Sequence, residues 1–488
     1  MVFSSTTFVF FFLPITLIGY FICRNIQVKN IWLLLVSLFF YFWGGPAFLP
    51  ILVFCICFNY LGGLLISGAR CKGNNLAAKI FFVLVIVGNI ANLCYWKYTG
   101  FILNSINTWY NAKIQVPSIT LPIGISFFTF QGMSYVIDLY RKKVPVQKNL
   151  INIALYISMF PQLIAGPIVR YESISGQIDR RRCTVEEFSS GIRLFVVGLS
   201  KKLIIANSVA SVADKIFGLP ANQNMVSVSW LGVVCYTFQL YYDFSGYSDM
   251  AIGLGRMFGF KFPENFNYPY ISRSVSEFWR RWHISLSSWF RDYVYIPLGG
   301  SRTGNVYLNL LCVFFLTGLW HGASWNFVLW GLIFAVCTII ERWVKKHVEL
   351  NRIKDEPSGK NTYINNGLLL SVAGWVYTMF VWMMSMVLFR ADTLQNAGSY
   401  YLSLFGLNKL QNVGFTLSYY LNRYELFVLI AAAFFSFPVA KNIYGLLKKK
   451  LPLVGFTVLL NAGTVVLFVV NTMYILTETY NPFIYFRF

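Results

Sequence analysis

The stretch Leu310-Leu-Cys-Val-Phe-Phe-Leu-Thr-Gly-Leu-Trp-His-Gly-Ala-Ser-Trp-Asn-Phe-Val-Leu-Trp-Gly-Leu-Ile-Phe-Ala-Val-Cys-Thr-Ile-Ile340 contains no Asp, Glu, Lys or Arg. It belongs to two apolar runs, 306–321 and 324–341, that meet at a histidine set among Gly318, Gly322 and Ala323. A helix that crosses a bilayer needs about 20 mostly apolar residues, so the stretch reads as a pair of spanning segments. The same texture recurs at 7–23, 30–45, 48–68, 77–96, 119–140, 151–168, 225–242, 246–260, 367–389, 425–443 and 454–476. Several runs are short for a full span, which predicts tilted, broken or re-entrant pieces. Across all 488 residues, 57% are hydrophobic, 12% are charged and mean hydropathy is +0.58. Soluble domains carry about 25% charge. The reading is therefore an all-α, polytopic integral membrane protein, with about twelve crossings plus re-entrant and interfacial helices.

The net charge of +22 would suggest nucleic acid on a soluble chain. Here the basic residues cluster in short loops between apolar runs, as the positive-inside rule requires, and no nucleic-acid partner is expected. Arg24 and Lys29, then Arg70, Lys72 and Lys79, then Arg141, Lys142, Lys143 and Lys148 put alternate loops in the cytoplasm. The first run has no basic residue before it and no small-residue cleavage site after it, unlike a signal peptide. It reads as a retained span with the N-terminus outside. The run 151–168 breaks the alternation, because Arg170 and Arg180 to Arg182 also belong inside. Pro161, Gly166 and Pro167 interrupt it, and a re-entrant segment resolves the conflict; a Pro-kinked ordinary span is the alternative. Broken backbone at membrane depth is tolerated where it is buried or lines a cavity. The loops Lys261 to Arg302, Arg342 to Lys360 and Lys441 to Lys450 come out inside, and the C-terminus outside.

Ser274 to Pro297 alternates at helical period. Phe278, Trp282, Leu286, Trp289 and Tyr293 share one face, and Glu277, Arg280, Ser287 and Arg291 share another. The spacing predicts one helix lying in or partly entering the interface.

There are three histidines. His347 sits beside Lys345 and Lys346 and reads as a solvated loop residue. His321 is an ionisable group at membrane depth, a functional-site candidate that can accept a proton near neutral pH; the plain alternative is a buried histidine bonded to a carbonyl. His283 lies in Glu277-Phe-Trp-Arg-Arg-Trp-His-Ile-Ser285, near Arg280, Arg281 and Arg291. Such a cationic cluster can hold the phosphates of a nucleotide-bearing donor or anchor lipid headgroups. A polar island from Gln239 to Asp249 places Asp243, Ser245, Ser248 and Asp249 between two apolar runs. It lines an acceptor path, orients a histidine or forms a polar turn outside the bilayer. Trp282, Trp320 and Ser324 flank the two histidines and are candidate lining residues. No metal spacing appears: the histidines lack HExxH, and the nine cysteines are scattered. No nucleophile elbow or P-loop appears either.

Trp282-His-Ile-Ser-Leu-Ser, Phe290-Arg-Asp-Tyr-Val-Tyr-Ile-Pro-Leu-Gly-Gly-Ser-Arg302 and Leu319-Trp-His-Gly-Ala-Ser-Trp325 resemble the membrane-bound O-acyltransferases. Phe160-Pro-Gln-Leu-Ile-Ala-Gly-Pro-Ile-Val-Arg170, Tyr241 to Ala251 and Phe483 to Phe488 add to the resemblance, which runs nearly end to end. It is strongest to the bacterial branch of alginate and peptidoglycan O-acetylation; teichoic acid D-alanylation is more distant. The resemblance implies a single domain over 1–488: N-terminal spans (1–150), a catalytic core (151–342) and C-terminal spans (343–488). It further implies a ring of tilted helices around a central tunnel, in a bacterial inner membrane. His321 would match the family's near-invariant histidine, and His283 the more variable one. The implied donor is acetyl-CoA, with no metal. The implied partner is an extracytoplasmic acetyltransferase of SGNH type acting on a polysaccharide.

The expected chemistry needs a base to take the acceptor's proton and a group to steady the oxyanion. His321 is the expected base, His283 orients the donor, and Arg280, Arg281 and Arg291 hold its phosphates. A carrier-protein thioester donor, a lipid acceptor and a transporter are competing classes. A transporter predicts inverted-repeat halves, which are not visible.

Overall fold

Long apolar runs punctuated by Asn, Thr and Ser caps give helices, and the computed structural model is helical, with no strand among the described residues. The structure describes residues 1–220, 223–355, 367–408, 416–477 and 480–482, with side chains at all of these except 348–355. The closing motif Phe483 to Phe488 and residues 356–360 of the expected Arg342 to Lys360 loop lie outside the described residues; the rest of that segment, His347 included, continues the helix Trp325–Asp355 rather than forming a loop. Seven helices among them are long and apolar enough to cross a membrane, or eight if the pair Arg423–Phe435 and Val439–Lys450, bent by 67°, makes one span. Phe8–Ile22 and Val306–His321 are shorter apolar helices. The chain is a multi-pass membrane protein.

Two departures from the expected spans have one cause. A rod from Val185 to Phe217 falls in none of the apolar runs, because Glu186, Glu187, Arg193, Lys201, Lys202, Asp214 and Lys215 interrupt its hydropathy. The runs 225–242 and 246–260, expected to be separate spans, form a single helix Val226–Met257 of 32 residues, about 48 Å long at 1.5 Å per residue. The polar island is therefore no turn. Each helix supplies what the other lacks. A wide helical turn at Lys201–Ala206 turns two lysines inward, where Lys202 pairs with Asp243 at 2.8 Å and Lys201 with Asp249 at 2.6 Å. Buried charges persist when paired, so neither helix needs to break.

Small residues let these helices touch backbone to backbone. A Cβ on Gly198 would lie 2.5 Å from Gly246 O, and one on Gly246 would lie 2.7 Å from Gly198 O; Gly191 and Gly253 repeat the arrangement. Helices in lipid associate through such close approach, since apolar burial gives little drive there.

The segment at 151–168 is broken and buried. Helix Leu150–Ser158 ends at Met159, and one further turn, Phe160–Leu163, precedes non-helical chain. Gln147 Nε2 donates to Tyr171 Oη at 3.2 Å, so the two ends of the segment lie side by side, as in a hairpin. Its tip, Ile164, reaches a cavity described below.

Candidate active site

The single helix expected over Ser274 to Pro297 is two helices, Val275–Arg281 and Ile284–Phe290, followed by a wider turn at Arg291–Tyr295. The break falls on His283, whose φ of 45° is left-handed. A non-glycine residue there is uncommon and strained. The expected apolar face survives: Phe278, Trp282, Leu286, Trp289 and Tyr293 are all buried. The break turns His283 into the protein, with no exposed surface. Trp282 packs against Trp382 and Phe266 at 4.8 and 5.0 Å between ring centroids.

One side chain orients His283. Asn265 Oδ1 accepts from Ser285 N at 3.2 Å and Ser285 Oγ at 2.9 Å, and lies 3.1 Å from His283 Nδ1. A backbone N–H can only donate, which identifies the amide atom as oxygen; His283 Nδ1 must then be the donor. In the neutral ring the lone pair sits on Nε2. That atom is buried and has no partner among the described residues.

His321 is the last residue of helix Val306–His321, where Gly322 turns to extended backbone. Its ring stands edge-on to Trp330 at 4.9 Å and Phe389 at 5.3 Å. Trp320 touches both histidine rings, His321 at 4.9 Å and His283 at 5.5 Å. The structure thus gathers two histidines that lie 38 residues apart around one indole. His321 Nε2 and the indole nitrogens of Trp279, Trp320 and Trp330 are also buried without partners among the described residues. Buried polar atoms are overwhelmingly hydrogen-bonded in proteins. Several unbonded ring nitrogens in one place form a site shaped for something polar.

Cavities approach this place from opposite ends of the same helix. One, of about 500 Å³, is lined by Ser276, Trp279, Arg280, Phe290, Arg291, Phe314 and Thr317 among others. It lies on the side of the basic loops and is mostly apolar beyond its arginines. At the helix's other end a cavity of about 270 Å³ is lined by Lys97, Ser126, Ile164, Trp320 and His321. Beside it a third, of about 450 Å³, is lined by Lys97, Ser324, Phe327, Arg390 and Asp392. Thr317 and His321 are one turn apart on one helix face, about 6 Å along the axis at 1.5 Å per residue.

The arginines divide. Arg280 and Arg291 line the cavity of about 500 Å³ and are exposed; Arg291 also meets Asp292 at 2.6 Å. Arg281 pairs with Glu277 at 2.9 Å and donates to Asn267 O, and is not among the cavity's lining residues. Burial alone would raise the Glu277 carboxyl, but the Arg273 N–H and the Arg281 guanidinium outweigh it and hold it below its ordinary range. Ser324 lines the cavity of about 450 Å³. Asp243 is ion-paired to Lys202, away from these walls. Ser245 Oγ is buried with no partner among the described residues. Among the described residues no group of three or more His, Cys, Asp or Glu is placed to hold a metal.

Two contributors escaped the sequence reading. Asn265 sits in an irregular loop with no periodicity to mark it. Lys97 lies in helix Asn75–Tyr110, just past the run 77–96. Its Nζ donates to Trp320 O and to Ser126 Oγ, the latter at 3.4 Å. Extending that run to Tyr110 would have shown Lys97 as the one charge between Ile80 and Tyr110.

The model of the membrane-bound O-acyltransferase family matches residues 141–387, which include both histidines. A protein of Azotobacter vinelandii named "Probable alginate O-acetylase AlgI" is 41% identical, over 83% of this chain and 78% of its own length. The "Peptidoglycan O-acetyltransferase" of Helicobacter pylori is 34% identical, over 84% of this chain and 80% of its own. The "Teichoic acid D-alanyltransferase" of Bacillus subtilis is 33% identical over 46% of this chain and 61% of its own.

Proposed function

The chain belongs to the membrane-bound O-acyltransferase family, and from that premise we propose that it passes an acetyl group from cytosolic acetyl-CoA to an extracytoplasmic polysaccharide. The acceptor is an alginate-like polymer or peptidoglycan, and an SGNH-type acetyltransferase outside the cell completes delivery. The protein lies in the inner membrane with its N-terminus outside and about twelve crossings. The observation that carries this reading is the set of unbonded histidine and tryptophan nitrogens in the wall between two cavities.

In this reading Arg280 and Arg291 hold the donor's phosphates at the inner mouth, and the apolar throat beyond them takes the donor's arm. The thioester then lies near Thr317, one helical turn from His321. His321 takes the acceptor's proton, and His283, held by Asn265, orients the donor through Nε2. A thioester is already activated, so no covalent enzyme intermediate is required. Arg281 steadies the helix that carries Arg280 through its pair with Glu277. Trp282, Trp320, Ser245 and Ser324 shape the path, and Asp243 secures the central helix. The reaction sits where the wall is thin, so the acyl group crosses while the cofactor stays inside.

Replacing His321 with Ala tests the reading. General-base catalysis supplies about 10²- to 10⁴-fold, and loss of polysaccharide acetylation by at least the lower figure is expected in membranes with wild-type protein content. Undiminished acetylation in that variant would refute it. The partial match to a D-alanyltransferase favours one second reading, with the acyl group arriving on a carrier protein. Labelled acetyl-CoA and a charged carrier, offered in parallel, separate the two.

A further inference from the structure

Lys97 is a buried lysine in a long apolar helix, 9% exposed, with no ion-pair partner among the described residues. Putting an ammonium at membrane depth is costly. Two of its three N–H groups have protein acceptors, Trp320 O and Ser126 Oγ. Both cavities on the outer side of His321 include Lys97 in their walls. Satisfying the end of the His321 helix does not require a charge: next door, Tyr98 Oη donates to Leu319 O at 2.9 Å. A neutral hydroxyl therefore does the same work one residue away, and beyond a distant approach of Nζ to the Trp320 ring, 5.9 Å from its centroid, no group among the described residues answers the charge at Lys97.

We propose that Lys97 is a further catalytic residue, whose ammonium directs its remaining N–H at the carbonyl oxygen of the acyl group undergoing transfer. The proposal rests on the acyl-transfer reading above. The acceptor oxygen forms the new C–O bond to the thioester carbon, and the carbonyl π pair moves onto oxygen beside Lys97 Nζ. His321 takes the hydroxyl proton. Collapse re-forms C=O and breaks C–S; the sulfur leaves with the bond pair and receives the proton from His321. Fixed charge aimed at a developing oxyanion in a dry site is among the largest catalytic effects, and removing one such donor costs about 10²- to 10³-fold in kcat.

Lys97→Gln keeps an N–H donor for Trp320 O but removes the charge; Lys97→Arg keeps the charge. Membranes matched for protein content and retaining the extracytoplasmic partner are given labelled acetyl-CoA and acceptor, with each Lys97 variant assayed beside wild type and His321→Ala. The glutamine variant is expected to lose about 10²- to 10³-fold in kcat, with donor KM within about twofold of wild type. A purely structural clamp would not give that split, since glutamine can still clamp. Arginine stays protonated where lysine titrates, so Lys97→Arg should restore part of kcat and sustain it to higher pH than wild type. A glutamine variant within about threefold of wild type overturns the assignment, as does equal loss in both variants. Should Lys97→Gln fail to insert, the arginine profile decides alone, and an unmoved basic limb overturns it. If wild type itself transfers nothing, or His321→Ala matches it, the acyl-transfer reading fails instead.

Discussion

Removing the Asn265 side chain should damage the site through a histidine that the mutation leaves intact. Asn265 is 1% exposed, and its amide oxygen serves three donors: His283 Nδ1, Ser285 N and Ser285 Oγ. Its Nδ2 donates to Ser248 Oγ at 3.1 Å, joining the broken helix pair to the central helix. In Asn265→Ala the Ser285 hydroxyl can turn toward His283 Nδ1, already 3.5 Å away. The Ser285 backbone N–H has no such recourse, and His283 loses the acceptor that fixes its tautomer. A buried donor left without a partner costs about 1–3 kcal/mol; with the serine hydroxyl turned to the ring, the Ser285 N–H is the donor left over, and that cost falls on folding stability. The acceptor lost at the His283 ring, about 1–3 kcal/mol if it acts in full on the transition state, corresponds at about 1.4 kcal/mol per tenfold to roughly a 5- to 100-fold loss in kcat/KM, carried mainly by kcat. The assay is labelled acetyl transfer from acetyl-CoA in membranes retaining the extracytoplasmic partner, with thermal unfolding of the purified protein in detergent alongside. Asn265→Asp restores the acceptor oxygen and should recover most of the loss. An alanine variant within about threefold of wild type, or an aspartate variant no better than alanine, would refute the tautomer argument.

Glu341 accepts from Val275 N, Ser276 N and Ser276 Oγ at 2.5, 2.9 and 2.6 Å, so a carboxylate from one helix caps the start of the helix that carries Arg280. Such charge-assisted bonds are worth roughly 1.5–3 kcal/mol, and Glu341→Ala should raise donor KM by about tenfold or more while kcat stays within about threefold; equal loss in both parameters would count against it. Arg280→Ala and Arg291→Ala should each weaken acetyl-CoA binding, more so at low salt. Arg281→Ala should instead act on unfolding temperature with little change in donor KM, and reversal of this order between Arg280 and Arg281 would contradict the cavity assignment.

Legibility followed the chemistry of each segment. The apolar runs and the Gly-rich setting of His321 were readable because lipid burial writes itself into composition. The break at 161–167 was readable because Pro and Gly punctuate it. What escaped was polar residues made tolerable by distant partners. The Val185 to Phe217 rod carries charges that hydropathy counts against a span, yet Lys201 and Lys202 turn inward to Asp249 and Asp243. The same pairs made one 32-residue helix resemble two runs with a polar island between them. Periodicity found the buried face from Phe278 to Tyr293 but not the kink at His283. A periodic pattern records which side chains are apolar and is blind to a single left-handed residue that the pattern can absorb.

That kink explains why two short helices serve where one long helix would not. An unbroken helix through Ser274 to Pro297 would set His283 beside Arg280 and Ser287, its neighbours at three and four residues, on the face that meets solvent. The left-handed residue costs of order 1–3 kcal/mol, and Asn265 offsets it by bonding both the ring and the first N–H groups of the next helix. The return is positional. Arg280 stays at the mouth of the inner cavity while His283, three residues on, reaches Trp320 in the wall. His321 arrives at the same indole from the end of its own helix, where the chain turns at Gly322. Each histidine thus sits at a helix discontinuity, one at a start and one at an end, where the backbone is free to aim a ring inward. Straight spans packed at van der Waals contact could present such groups only along their sides, and the wall between inner and outer cavities would then be a full helix diameter thick rather than about one helical turn.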